Sequence, residues 1–135
     1  MRNHILVVED DAALREALQT TLEAEKFIVS TANDGEEGLQ KVAEKMPGLI
    51  LLDIAMPKMD GITMMQKLQV NPATKNIPII FLTNLSDIET ISKVVRQGIF
   101  DYLVKSEWDI DELVNLVKKR LKNDLQTSTL GPKKS

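Results

Sequence analysis

The sequence has no cysteine and a single histidine, His4. The first absence excludes disulfides, thiolate catalysis and Cys-based zinc or iron–sulfur centres together. The second leaves no way to build a His-rich metal site or a pair of catalytic imidazoles. No apolar run approaches the ~20 residues of a membrane span. A secretory leader is not expected, because Met1-Arg2-Asn3-His4 runs into only four apolar residues, Ile5-Leu6-Val7-Val8, and then directly into acids. The cytoplasm is therefore the expected location. No Gly-rich loop follows that first apolar run, which argues against a nucleotide cradle. There is no positive excess either: 17 Lys and Arg face 20 Asp and Glu, for a net charge of −3. A nucleic-acid or anionic-membrane surface spread over the whole domain is disfavoured on that ground.

What the chain does have is the make-up of an ordinary globular domain, 43% hydrophobic and 27% charged over 135 residues. That length corresponds to one domain, large enough to fold without a metal or disulfide staple. Apolar, β-rich runs fall at 4–9, 27–32, 48–53, 77–83 and 100–104. Three of them are nearly continuous hydrophobic stretches, as expected of strands covered on both faces. Helix-period segments lie between them. Leu14, Ala17, Leu18, Thr21 and Leu22 share one face of the first, and Ile110, Leu113, Val114, Val117 and Leu121 one face of the last. Asp34 with Glu37, Ser86 with Glu89 and Asp109 with Glu112 have capping-box spacing, and Gly98 suits a left-handed C-terminal cap. Five β/α alternations predict an α/β fold, a doubly wound parallel sheet with helices on both faces. The domain is expected over 1–122, with 123–135 a flexible tail or truncated linker ending in Gly131-Pro132-Lys133-Lys134-Ser135.

In open α/β sheets, ligands sit beyond the carboxyl ends of the strands, where the strand order reverses. The side chains that end the strands therefore carry the functional reading. The first strand ends in Glu9-Asp10-Asp11, the third in Asp53 and the fourth in Thr83, and the fifth runs into Lys105. Carboxylates gathered there repel by about 4 kcal/mol per pair at ~4 Å and an effective dielectric near ~20. Either some of them hold protons or a cation sits among them. With no His or Cys to bind a softer metal, Mg²⁺ fits that donor set. A hard dication, an ammonium, a hydroxyl and a nucleophilic carboxylate together suit a phosphoryl group.

Plainer roles exist for several of these residues. Asp10 or Asp11 could cap the first helix, and Lys105 could simply be the salt-bridge partner that a carboxylate at the end of an apolar strand needs. Met56, Met59, Met64 and Met65 read as filling of a loop–helix junction. His4 is expected as a surface residue at the opposite rim.

Ile5-Leu6-Val7-Val8-Glu9-Asp10-Asp11, Leu51-Leu52-Asp53-Ile54-Ala55-Met56-Pro57-Lys58-Met59-Asp60-Gly61, Phe81-Leu82-Thr83 and Asp101-Tyr102-Leu103-Val104-Lys105 occur in this order, each at a strand end. Over roughly residues 4–122 the chain resembles the receiver domains of two-component response regulators, the CheY-like family. The resemblance implies a flavodoxin-like (βα)5 fold with a five-stranded parallel sheet in the order 2-1-3-4-5. It implies Asp53 as phospho-acceptor, and Mg²⁺ held by Asp10, Asp53 and the Ala55 backbone carbonyl, with Glu9 acting through water. It further implies that Lys105 and Thr83 contact the phosphoryl oxygens and that Tyr102 is an aromatic switch. Pro57 and Asp60-Gly61 would shape the loop after Asp53.

The implied partners are a sensor histidine kinase or phosphotransfer protein and an output partner or C-terminal output domain. Nucleic acid and membrane are not expected to be bound by this chain, which would act as a monomer or as a phosphorylation-linked homodimer. Two departures from the family pattern stand out. Ser106 follows Lys105 where proline is common, so a trans peptide is expected there. Asn84 and Ala55 flank the expected phosphate and are read as tuning the access of donors and water. An aspartyl-phosphate hydrolase would need an acid–base two residues after the nucleophile, and Ala55 stands there, so turnover of external substrates is not expected.

Overall fold

Neighbouring residues of an extended strand point to opposite faces, so a run that is apolar throughout needs cover on both sides. The computed structural model provides it. It describes residues 3–95 and 100–130, the side chains of Val95 and of residues 123–130 excepted. The strands are β1 (His4–Val8), β2 (Ile28–Ala32), β3 (Leu49–Asp53), β4 (Ile79–Thr83) and β5 (Phe100–Val104). They pair in parallel, in the order β2-β1-β3-β4-β5. The helices are α1 (Ala12–Ala24), α2 (Gly35–Glu44), α3 (Gly61–Gln69), α4 (Ile88–Val95) and α5 (Ile110–Leu130). This is the doubly wound flavodoxin-like fold expected.

The alternation divides the core in two. Leu6, Val8, Ile50, Leu52, Ile79 and Phe81 pack with Val42, Met64, Leu68 and Ile91, which places α2, α3 and α4 on one face. Ile5, Val7, Leu49, Leu51, Ile80 and Leu82 pack with Leu18, Leu22, Leu113 and Val117, which places α1 and α5 on the other. Each fully buried aliphatic side chain contributes about 1.5–3 kcal/mol, so the sheet is a strong frame for whatever sits on its rim. Met64 and Met65 are core residues, while Met56 and Met59 pack half-buried against the same cluster.

Helix starts follow their caps. Asp11, Asp34, Asp60 and Asp109 accept the backbone N–H of Leu14, Glu37, Thr63 and Glu112 respectively. The Glu37 carboxylate reaches back to the Asn33 N–H at 2.7 Å. The Ser86–Glu89 cap does not form. A 3-10 turn, Leu85–Asp87, occupies that segment with Asn84 before it, and α4 begins only at Ile88.

Other expectations are also corrected. His4 is 1% exposed rather than a surface residue, because β2 runs alongside it and Ser30 Oγ lies 2.8 Å from its Nε2. Ile110 is 56% exposed, since it opens α5 beyond the strand ends, and Ala17 is also exposed. Helix α5 continues past 122 to Leu130, because no proline or glycine interrupts it before Gly131-Pro132. The expected Gly98 cap and residues 131–135 lie outside the described residues.

The loop after β3 folds back tightly. The Gly61 N–H donates to the Ile54 carbonyl at 2.8 Å. A Cβ on Gly61 would stand 2.3 Å from the Asp53 carbonyl oxygen and 3.0 Å from Ile54 Cα. Both are backbone atoms that cannot rotate aside. Gly61→Ala is expected to cost about 1–3 kcal/mol of stability through this overpacking, read as a lower urea midpoint. An unchanged midpoint would show that the loop can move away freely.

Candidate functional site

The sheet order reverses between β1 and β3, and the crevice that opens there lies beyond their carboxyl ends. β1 runs into Glu9 and Asp10, β3 ends on Asp53, and β5 runs into Lys105. The Lys105 N–H donates to the Thr83 carbonyl at 2.7 Å, which carries the lysine stem onto the rim. Its ammonium lies 3.0 Å from Asp53 Oδ1, 3.1 Å from Glu9 Oε1 and 3.3 Å from Glu9 Oε2. Glu9, Asp10 and Asp53 each bring a carboxylate oxygen within 4.8 Å of the others. Side chains from three separate stretches thus meet in one pocket.

The environments differ. Glu9 and Asp53 are buried, at 0% and 1% exposure, whereas Asp10 is exposed. Glu9 is held from several sides: its Oε2 accepts the Asp11 N–H at 3.0 Å, its carbonyl accepts Arg15 Nη1 at 2.9 Å, and its N–H donates to Ala32 O at 3.1 Å. Asp53 Oδ2 is buried with no hydrogen-bond partner. Burial, and then the Glu9 charge, push the Asp53 carboxyl up to about 7 despite the opposing pull of Lys105. Burial pulls the Lys105 ammonium down, but Asp53 and Glu9 more than offset it, and its pKa is raised overall.

The pocket therefore carries more negative than positive charge, and it has an idle buried oxygen. Three carboxylates without nitrogen or sulfur donors suit a hard, oxygen-seeking dication, so the residues present fit Mg²⁺.

Thr83 ends β4 and is buried, with its hydroxyl donating to the Asn84 carbonyl at 3.1 Å. Tyr102 sits half-buried on the α4 side of β5, against the core. Ala55 is exposed, two residues past Asp53, and Asn84 is exposed beyond Thr83. The Lys105–Ser106 peptide is trans, as expected. Asp11 is a cap. Sequence reasoning missed Arg15: one arginine on the first helix carries no signal until its reach to the Glu9 carbonyl is seen.

Folded protein holds the Asp53 proton more tightly than unfolded chain, whose carboxyl titrates near 3.8. The stability tied to that proton is fully present below pH 3.8 and lost as pH rises through about 7. In EDTA, Asp53→Asn is accordingly expected to be about 1–3 kcal/mol more stable than wild type at pH 8, with the gap closing as pH falls toward 4. Urea midpoints across that range test this, and a less stable variant at pH 8 would contradict it.

The family profile described as the response regulator receiver domain matches residues 5–118. Among curated relatives, the chain is 36% identical over 120 residues to the DNA-binding transcriptional regulator NtrC of Escherichia coli, covering 89% of this chain and 25% of that protein. It is 39% identical over 110 residues to the response regulator PleD of Caulobacter vibrioides, covering 82% and 24%. The chain thus spans about a quarter of the length of these relatives. Among solved structures, the signal receiver domain of a signal transduction histidine kinase from Syntrophus aciditrophicus superposes with a TM-score of 0.80 at 31% identity, covering 89% of this chain and 90% of that one. The acidic crevice, the sheet order and these matches agree: the chain belongs to the receiver domains of response regulators, the phosphorylatable switches of two-component signalling.

Proposed function

We propose that Asp53 accepts a phosphoryl group from the phosphohistidine of a sensor histidine kinase or phosphotransfer protein. The observation that carries this reading is the split environment of the Asp53 carboxylate. One oxygen is held 3.0 Å from the Lys105 ammonium, and the other is buried without a hydrogen-bond partner. That second oxygen is the nucleophile. It bonds to phosphorus as the P–N bond breaks, and the electron pair stays on the departing imidazole nitrogen.

Asp10, Asp53 and the Ala55 carbonyl would hold Mg²⁺, with Glu9 acting through water; when bound, the ion neutralises charge on the phosphoryl oxygens. Lys105 supplies a second positive charge to the same oxygens.

After transfer, the new oxygens compete with the Asn84 carbonyl for the Thr83 hydroxyl. Movement of Thr83 makes room for Tyr102 to turn inward. The surface formed by α4, β5 and α5 then changes, as one of two pre-existing conformations is favoured. An output partner, a C-terminal output domain or a second copy reads that surface. A cytoplasmic location belongs to the same proposal, and no nucleic acid is assigned to this chain; no helix among the described residues is long and apolar enough to cross a membrane. Chemistry beyond self-phosphorylation and autodephosphorylation is not proposed, because Ala55 supplies no acid–base where a hydrolase needs one.

Incubation with acetyl phosphate and Mg²⁺ is expected to give one phosphoryl adduct by intact mass, absent in EDTA and in Asp53→Asn. Repeated release of phosphate from added esters would contradict the reading. Asn84→Ala is expected to shorten the adduct's lifetime severalfold, by opening a path for water. An unchanged decay rate would remove Asn84 from the account.

A further inference from the structure

A cavity of about 400 Å³ lies beside the end of β5, lined by Tyr102, Leu103, Val104, Glu107, Trp108 and Glu112. Three consecutive strand residues have side chains on alternating faces, so a recess that touches all three runs along the strand's open edge. β5 is indeed an edge, paired only with β4. The Lys105 N–H points at Thr83 O, and by alternation the peptide groups of Tyr102 and Val104 point outward. The Val104 carbonyl is taken by the Glu107 N–H at 2.9 Å. The Tyr102 peptide is left to face the recess.

The walls combine two exposed carboxylates, Glu107 and Glu112, with two half-buried rings, Trp108 and Tyr102. Two cations of these elements are engaged elsewhere: Lys105 with Glu9 and Asp53, and Arg120 with Asp101, Nε to Oδ2 at 2.8 Å. Among the described residues, neither Glu107 nor Glu112 has an ion pair. A cation placed against aromatic faces and paired with carboxylates gains from both.

We propose that this recess docks an extended segment of a protein partner, taking one arginine or lysine side chain between the rings and the two glutamates while the segment's backbone pairs with the Tyr102 peptide. The partner is thus a basic peptide segment rather than an acidic or wholly apolar one. Only the biological role of this contact rests on the output surface proposed above. The binding itself needs no phosphoryl group on Asp53, so the two readings can fail separately.

Trp108 is the only tryptophan of the chain, and its emission reports the recess without a label. Titration with acetyl-Val-Arg-Val-amide is expected to give a saturable change in emission, and the citrulline counterpart, of the same shape without charge, none. Glu107→Gln/Glu112→Gln, at two exposed positions, is expected to weaken binding roughly tenfold, while Glu16→Gln on α1 leaves it unchanged. Equal binding of the citrulline peptide, indifference to the double substitution, or no response at all would overturn the proposal. So would a response to spermidine alone, or an emission change driven by protein concentration alone, which would place a free polyamine or a second copy in the recess.

Discussion

One ammonium shared between two buried carboxylates is the interaction on which the rim of this protein depends. Lys105 stands within 3.3 Å of oxygens of both Glu9 and Asp53, and Asp10 adds a third negative charge at the mouth. A single positive charge cannot balance that set in a dry pocket. The excess is met by a proton, which is why Asp53 is pushed to about 7, or by an arriving cation. The surrounding structure prevents the simplest escape, which is for the acids to move apart. Arg15 and the Asp11 N–H pin Glu9, and Gly61 packs directly on the Asp53 carbonyl.

Such a cluster needs a strong frame behind it. Parallel strands buried on both faces provide one, with twelve aliphatic or aromatic strand residues at 1% exposure or less from β1, β3 and β4. Charge strain is confined to the carboxyl ends of the strands, and the apolar contacts below outweigh it. Destabilised groups at a working site on an otherwise consistent fold are the usual division between stability and function. A ligand that relieves the strain on Asp53 therefore changes the balance at the rim without disturbing the core.

Much of this was legible in the sequence because it rests on local pattern. Continuous apolar runs announced the strands, and their ends were placed to within two residues. Asp34, Asp109 and Asp11 announced helix starts, since a cap is a short-range hydrogen bond. The acids, Thr83 and Lys105 could be assigned to one rim because a parallel βα alternation puts every strand's carboxyl end on the same side. Illegible features depended on three-dimensional neighbours. His4 looks like a surface residue until Ser30 on the adjacent strand is seen beside it. Ser86 has the spacing of a cap, but the chain prefers a 3-10 turn after Asn84. The reach of Arg15 and the contact of Gly61 with Asp53 join residues that no spacing rule connects. Helix α5 runs on to Leu130 because no proline or glycine stands in it before Gly131.

The carboxyl of Asp53 itself gives the most direct test. Its ¹³C signal, followed by NMR across pH in EDTA and again in saturating Mg²⁺, is predicted to titrate near 7 without the metal and well below that with it. Titration close to 3.8 under both conditions would mean that Asp53 feels neither burial nor Glu9, and the account of the pocket would be wrong.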